Sequence, residues 1–199
     1  MEPMKRYGSI NRKTKETQIA LSIDLDGSGK SKVSTTIGFL DHMFELFAKH
    51  GHFDLTVKAK GDTHIDQHHL VEDLGIALGE AIAKAVGDKK GISRYGNFLL
   101  PMDETLSYVA LDLSNRPYFI WKVKLQQGIR IGGLEGDLLE HFFESIAMNA
   151  RMNLHMALKH GKLPHHISES LFKGFARALS AAVKRDARIK GVLSTKGKL

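Results

Sequence analysis

Between residues 19 and 25 the chain alternates, Ile19, Leu21, Ile23 and Leu25 against Ala20, Ser22 and Asp24, which is the period of a half-buried strand. The turn-forming Asp26-Gly27-Ser28-Gly29-Lys30 follows, and Lys32 to Ile37 is expected to return as the second arm of a hairpin. Gly38 then opens a helical run with Leu40, Met43, Phe44 and Phe47 as its apolar stripe, ended by Gly51. Phe53, Leu55 and Val57 predict another strand. Asp66 to Val86, rich in Ala, Leu and Glu, predicts a long helix. The expected order is β-β-α-β-α.

That order recurs. Tyr95 to Leu100, Leu106 to Leu113 and Tyr118 to Leu125 are strand candidates, broken by Pro101 and by Asn115-Arg116-Pro117. Helices are expected over Asp137 to Ala150 and Ile167 to Val183. Laying His42 on His141 also lays Phe44 on Phe143, Glu45 on Glu144 and Leu55 on Leu154. A two-residue shift then brings His68, His69 and Glu72 onto His165, His166 and Glu169. Two copies are too few for a solenoid. The pattern predicts an α+β chain of two homologous halves, residues 1–93 and 94–199, with no Ser/Pro-rich linker and therefore packed as one unit.

The repeated segments carry the chemistry. His-His-x-x-Glu occurs at His68-His69-x-x-Glu72 and at His165-His166-x-x-Glu169, each after an acid-His pair, Asp41-His42 and Glu140-His141. On a helix, residues i and i+4 share a face, while adjacent residues diverge by about 100°. Each histidine of a pair is thus suited to a different ion. Two His-His-Glu sets with His42 and His141 make eight ligands, enough for two metals with four protein ligands each. Asp41 and Glu140 are expected to orient the histidines beside them. Without cysteine there is no disulfide, no thiolate zinc site and no cysteine nucleophile, so imidazole and carboxylate must serve, which suits manganese, iron or zinc.

Charge narrows the partner. The formal net charge of +7 favours an anion, but basic residues are spread along the chain without the aromatic interleaving that stacks bases, so nucleic acid is not expected. Met1 to Lys15 is polar and basic, without the apolar core of a signal peptide, and no run is long enough to span a membrane. A cytoplasmic protein is expected.

From end to end the chain resembles the imidazoleglycerol-phosphate dehydratases of histidine biosynthesis. The matching segments are Gly38-Phe39-Leu40-Asp41-His42-Met43, His68-His69-Leu70-Val71-Glu72-Asp73-Leu74-Gly75-Ile76, Arg94-Tyr95-Gly96, Pro101-Met102-Asp103-Glu104-Thr105, Asn115-Arg116-Pro117-Tyr118, His165-His166-x-x-Glu169 and Ser194-Thr195-Lys196-Gly197. One position departs mildly: Gln67 stands where an acidic residue often precedes the first His-His pair.

The resemblance implies two α+β halves, each a four-stranded sheet packed with helices, in the ribosomal-protein-S5-domain-2-like class. It implies a homo-oligomer of 24 subunits built from trimers, with two manganese ions per subunit at subunit interfaces. Metal ligands would be His42, His68, His69, Glu72, His141, His165, His166 and Glu169. Substrate contacts would come from Glu16, His42, His50, Arg94, Arg116, Lys173, Ser194, Thr195 and Lys196. The arginines, Lys173 and the tail would take the phosphate of a small phosphorylated imidazole substrate. The implied reaction removes water from D-erythro-imidazole-glycerol 3-phosphate through an imidazolate and a diazafulvene-like intermediate. Glu16 is the favoured proton-handling carboxylate, with Glu72 and Glu169 as catalytic partners and Asp103-Glu104 as a weaker candidate. Two other classes compete on the residues alone: a non-catalytic assembly protein stapled by metal, and a metal-assisted phosphate-ester hydrolase.

Overall fold

The computed structural model describes residues 5–199; Met1 to Met4, the start of the polar N-terminal stretch, lie outside the described residues. The first half contains β1 (Tyr7–Lys13), β2 (Thr17–Asp24), β3 (Ser31–Ser34), α1 (Gly38–Gly51), β4 (Asp54–Gly61) and α2 (His68–Val86). The second contains β5 (Tyr95–Met102), β6 (Thr105–Asp112), β7 (Tyr118–Lys122), a small hairpin of β8 (Arg130–Ile131) and β9 (Leu134–Glu135), then α3 (Leu138–Asn149), β10 (Asn153–His160) and α4 (Pro164–Val183). The sheets are ordered β1-β2-β4-β3 and β5-β6-β10-β7. In each, the last strand in the order runs parallel to its neighbour and the other pairings are antiparallel. The fold is α+β, with two four-stranded sheets and helices packed on them.

Three strand expectations change. Tyr7–Lys13 forms an edge strand that hydrophobic alternation does not reveal, because only Gly8 and Ile10 are buried along it. The first half is therefore β-β-β-α-β-α rather than β-β-α-β-α, and the second has that order with the β8–β9 hairpin inserted before α3. Lys32 to Ile37 does not return as a hairpin arm: β3 crosses to the far edge and pairs parallel with β4. Pro101 does not break β5, since that strand lies at the sheet edge, where a missing N–H costs no ladder bond.

The inner faces bury alternate residues of each strand against the helices. Glycine sets the distance at one equivalent point in each half: a Cβ on Gly8 would lie 1.9 Å from the Ala81 carbonyl oxygen, and one on Gly96 1.9 Å from that of Ala178. Between the halves, α1 packs on α4 and α2 on α3. Phe44, Phe47, Phe142, Phe143, Phe172 and Phe175 fill that seam, with Phe47 stacked on Phe175 and Phe44 edge-on to Phe142. Truncating one such ring typically costs about 3–5 kcal/mol. Gly75 and Gly79 let α2 approach α3 closely, for a Cβ there would meet the carbonyl oxygens of Phe142 and Ile146 at 2.7 and 2.8 Å. That approach brings residues one turn before Gly75 beside the first turn of α3.

Candidate metal centre and anion pocket

Helix contacts across the seam assemble two clusters whose ligands come from opposite halves. His42 of α1 joins His165 and Glu169 of α4, and His141 of α3 joins His68 and Glu72 of α2; in each set the ligand atoms lie within 4.8 Å of one another. The grouping follows from i, i+4 geometry on α2 and α4, with the third ligand supplied by the helix packed alongside. Glu169 Oε1 accepts from His165 Nε2 at 2.8 Å and from His42 Nε2 at 3.2 Å. Lys173, one turn on, places Nζ 2.5 Å from the other oxygen. Burial opposes ionisation of Glu169, but hydrogen bonds from Lys173, His42 and His165 outweigh it and hold the carboxyl down at about 2.

The second cluster is looser. His68 Nε2 and His141 Nε2 lie 3.8 and 3.5 Å from the Glu72 oxygens, and the two imidazole rings are 4.6 Å apart. His141 Nε2 is buried without a hydrogen-bond partner. A buried imidazole nitrogen without a partner, aimed at a histidine and a carboxylate, fits a divalent cation with nitrogen and oxygen preferences.

Adjacent histidines diverge as helix geometry requires. The ring planes of His68 and His69 are inclined at 85°, and those of His165 and His166 at 79°. His69 Nδ1 pairs with Asp62 at 3.0 Å, with Glu16 at 3.9 Å; His166 Nδ1 pairs with Glu104 at 2.8 Å, with Asp103 at 3.8 Å. These hydrogen bonds raise both imidazoles above their ordinary range and fix Nδ1, leaving Nε2 as the nitrogen to offer a metal. Glu104 also accepts from the Leu163 and Lys162 backbone N–H groups, and its carboxyl is held well below the usual range, chiefly by His166. Glu16 stands in the β1–β2 turn with its side chain half exposed.

Sequence reasoning missed several supporting residues. Asp62 orients His69, and Asp73, buried beside Glu72, accepts from Arg12 Nε at 2.7 Å and Thr17 Oγ1 at 2.5 Å, tying the Glu16 turn to the metal-bearing helix. Asp41 does not reach its neighbour: its carboxylate accepts from the Thr35 N–H and hydroxyl. Among the described residues no bond links Glu140 to His141. Gln67 bridges halves, donating to the Gly133 carbonyl and accepting from the Glu135 N–H, which holds the β8–β9 hairpin against the start of α2. An acid could not make the first of these bonds.

The residues expected to take phosphate fall in two places. Arg94, Arg116, Ser194, Thr195 and Lys196 line one pocket. Arg94 is committed, forked onto Asp112 and donating to the Leu193 carbonyl, so it anchors the tail. Lys173 stands apart, at Glu169. His50 ends α1 near Lys173 and Arg177, its imidazole pulled below the ordinary range by burial and by those cations.

Two similar α+β halves, with crossed clusters of two histidines and a glutamate that could each hold a metal ion, define the class of chain to which this one belongs. The family model for imidazoleglycerol-phosphate dehydratase matches residues 35–179. The Acetivibrio thermocellus dehydratase is 55% identical over 196 residues, 98% of this chain and 100% of the relative, and the Methylorubrum populi dehydratase is 54% identical with the same coverage. The crystal structure from Staphylococcus aureus superposes with a TM-score of 0.81 at 37% identity, covering 90% of this chain and 99% of that one. The Pyrococcus furiosus structure gives the same TM-score and identity over 96% and 100%. The chain belongs to the imidazoleglycerol-phosphate dehydratase family, a family of enzymes that are lyases. The family-model match spans both clusters; Glu16 and the Ser194–Lys196 tail fall outside it but inside the full-length relatives.

Proposed function

We propose that the chain dehydrates D-erythro-imidazole-glycerol 3-phosphate to imidazole acetol phosphate in L-histidine biosynthesis, using two manganese ions per subunit. The observation that carries this reading is the pair of crossed clusters. Each offers three ligands, while His69 and His166, turned away with Nδ1 fixed, supply the fourth for clusters of neighbouring chains. Eight ligands then serve two ions, and the assembly of 24 subunits built from trimers follows the same sharing. Hard six-coordinate manganese keeps positions open for substrate, unlike closed tetrahedral zinc.

Bound metal would supply Lewis acidity at the two ring nitrogens of the substrate, the chemistry on which a diazafulvene-type route depends. The chain's own groups do the rest. The hydroxyl on the carbon next to the ring leaves as water by taking up the proton that a ring nitrogen gives up, a proton leaves the following carbon to a carboxylate, and the carboxylate returns it to the carbon next to the ring as the enol becomes the ketone. Glu16 suits that transfer, because its side chain is half exposed, whereas Glu104 Oε1 accepts from the Lys162 and Leu163 N–H groups and Oε2 is held by His166. Glu104 positions His166 instead. Glu72 and Glu169 remain metal ligands that can share the proton. Arg116, Ser194, Thr195 and Lys196 hold the phosphate, with Lys173 and His50 on the side of the His42 cluster.

Among the described residues no helix is long and apolar enough to cross a membrane. The test is turnover after metal removal: chelated protein should lose formation of imidazole acetol phosphate and regain it on adding manganese. Restored assembly without turnover would favour a structural metal, and release of inorganic phosphate would favour a hydrolase.

A further inference from the structure

The connector between the halves grips the C-terminal tail. Gly91 N–H donates to the Gly191 carbonyl, Asp186 N–H to the Gly91 carbonyl and Ser93 N–H to the Lys184 carbonyl, each at 2.9 Å, while Lys90 pairs with Val192. These bonds hold one wall of the anion pocket, the tail that presents Ser194 and Lys196. The other wall is the turn carrying Arg116. From the same connector Lys89 reaches that turn: its Nζ donates to Asn115 Oδ1 at 2.7 Å. Lys89 is only 5% exposed and holds a left-handed backbone, as does Asn115. Arg116 is fixed in turn, its N–H donating to Ser114 Oγ and its carbonyl accepting from Asn153 Nδ2.

A lysine is an expensive choice for a buried strut. Burial, then repulsion from Arg151, partly offset by Asp112 and reinforced by Arg94, pulls its ammonium down to about 8. Those three are the charged groups facing it, from the turn before β10, from β6 and from the entry to β5. A methionine would fill the same space without that cost.

We propose that Lys89 is a positioning residue for substrate binding: its buried side chain locks the Asn115–Arg116 turn to the connector that holds the tail, giving the two walls of the pocket one fixed spacing. The inference rests on reading that pocket as the phosphate site. Lys89 touches no substrate; it acts through Arg116 and adds its charge behind the pocket.

The test is steady-state kinetics on Lys89→Met, checked for native assembly size and metal content, beside Arg116→Ala as the control on the pocket. Lys89→Met should raise KM about tenfold with kcat changed less than about twofold, the loss of one charge-assisted hydrogen bond. Wild-type KM should climb as pH rises through about 8, where Lys89 loses its charge, and the variant should lack that climb. Should Lys89→Met fail to assemble, Asn115→Gly removes the acceptor at a backbone position glycine favours, and should show the same split of KM from kcat. Unchanged KM in the natively assembled variant, with Arg116→Ala raising it, overturns the role of Lys89 alone. Unchanged KM in Arg116→Ala overturns the pocket reading and this inference with it.

Discussion

In the cluster of His42, His165 and Glu169, the carboxylate side chain is 9% exposed and accepts from both histidines and from Lys173; in that of His68, Glu72 and His141, it is 39% exposed and its nearest histidine nitrogen is 3.5 Å away. The duplicated ligands are the same, but the residue one turn after the glutamate has become Lys173 in one copy and Ile76 in the other. One cluster is already drawn together by hydrogen bonds, with a cation in place. The other stays open, with an orphaned imidazole nitrogen, and would be gathered by the ion itself. Duplication thus preserved the ligand atoms and let their electrostatics diverge.

The most severe way to probe that difference is to neutralise each carboxylate. Glu169→Gln should strand Lys173 as a nearly buried unpaired cation and cost about 3 kcal/mol in chemical denaturation of the metal-free protein. Glu72→Gln should cost less than about 1 kcal/mol, though both variants should lose activity about a thousandfold. Equal destabilisation would erase the distinction. A smaller effect is expected at the supporting carboxylates: Glu104→Gln should weaken metal binding about 10- to 100-fold by freeing the His166 ring, and Asp62→Asn should do less because His69 is more exposed, 35% against 22%. Competition against a metal indicator reads both. Smallest is the effect of charge alone. Lys173→Met, titrated with manganese in the absence of substrate, should tighten the His42 cluster about tenfold and leave the His68 cluster unchanged. No change at either would mean that Lys173 is neutral toward the metal, and a change at both would mean that its effect is not confined to its own cluster.

Much of this was legible in the chain. An apolar stripe marked α1, composition and the internal repeat marked the other long helices, and helix geometry marked that adjacent histidines diverge, because these are local properties; which histidine of each pair faces its glutamate stayed open. The edge strand β1 escaped, since Gly8 and Ile10 are its only buried residues, yet Arg6-Tyr7-Gly8 recurs as Arg94-Tyr95-Gly96, and Glu16-Thr17 as Glu104-Thr105, at one constant spacing. The β8–β9 hairpin, present only in the second half, then lengthens the interval to His141 and obscures that part of the repeat. The crossed grouping was not legible at all. It depends on α2 meeting α3 through Gly75 and Gly79, and on Phe47 stacking on Phe175 between α1 and α4, which are contacts between halves. Asp62 and Lys89 likewise look like ordinary surface charges until the chain folds around them.

The crossing is the account's central claim, and metal content of paired variants tests it most directly. His42→Ala combined with His165→Ala should remove about one equivalent of manganese per chain, since both serve one ion, whereas His42→Ala combined with His68→Ala should remove about two. If the His42 and His68 pair loses only one equivalent while the His42 and His165 pair loses both, each ion belongs to one half and the crossed assignment is wrong.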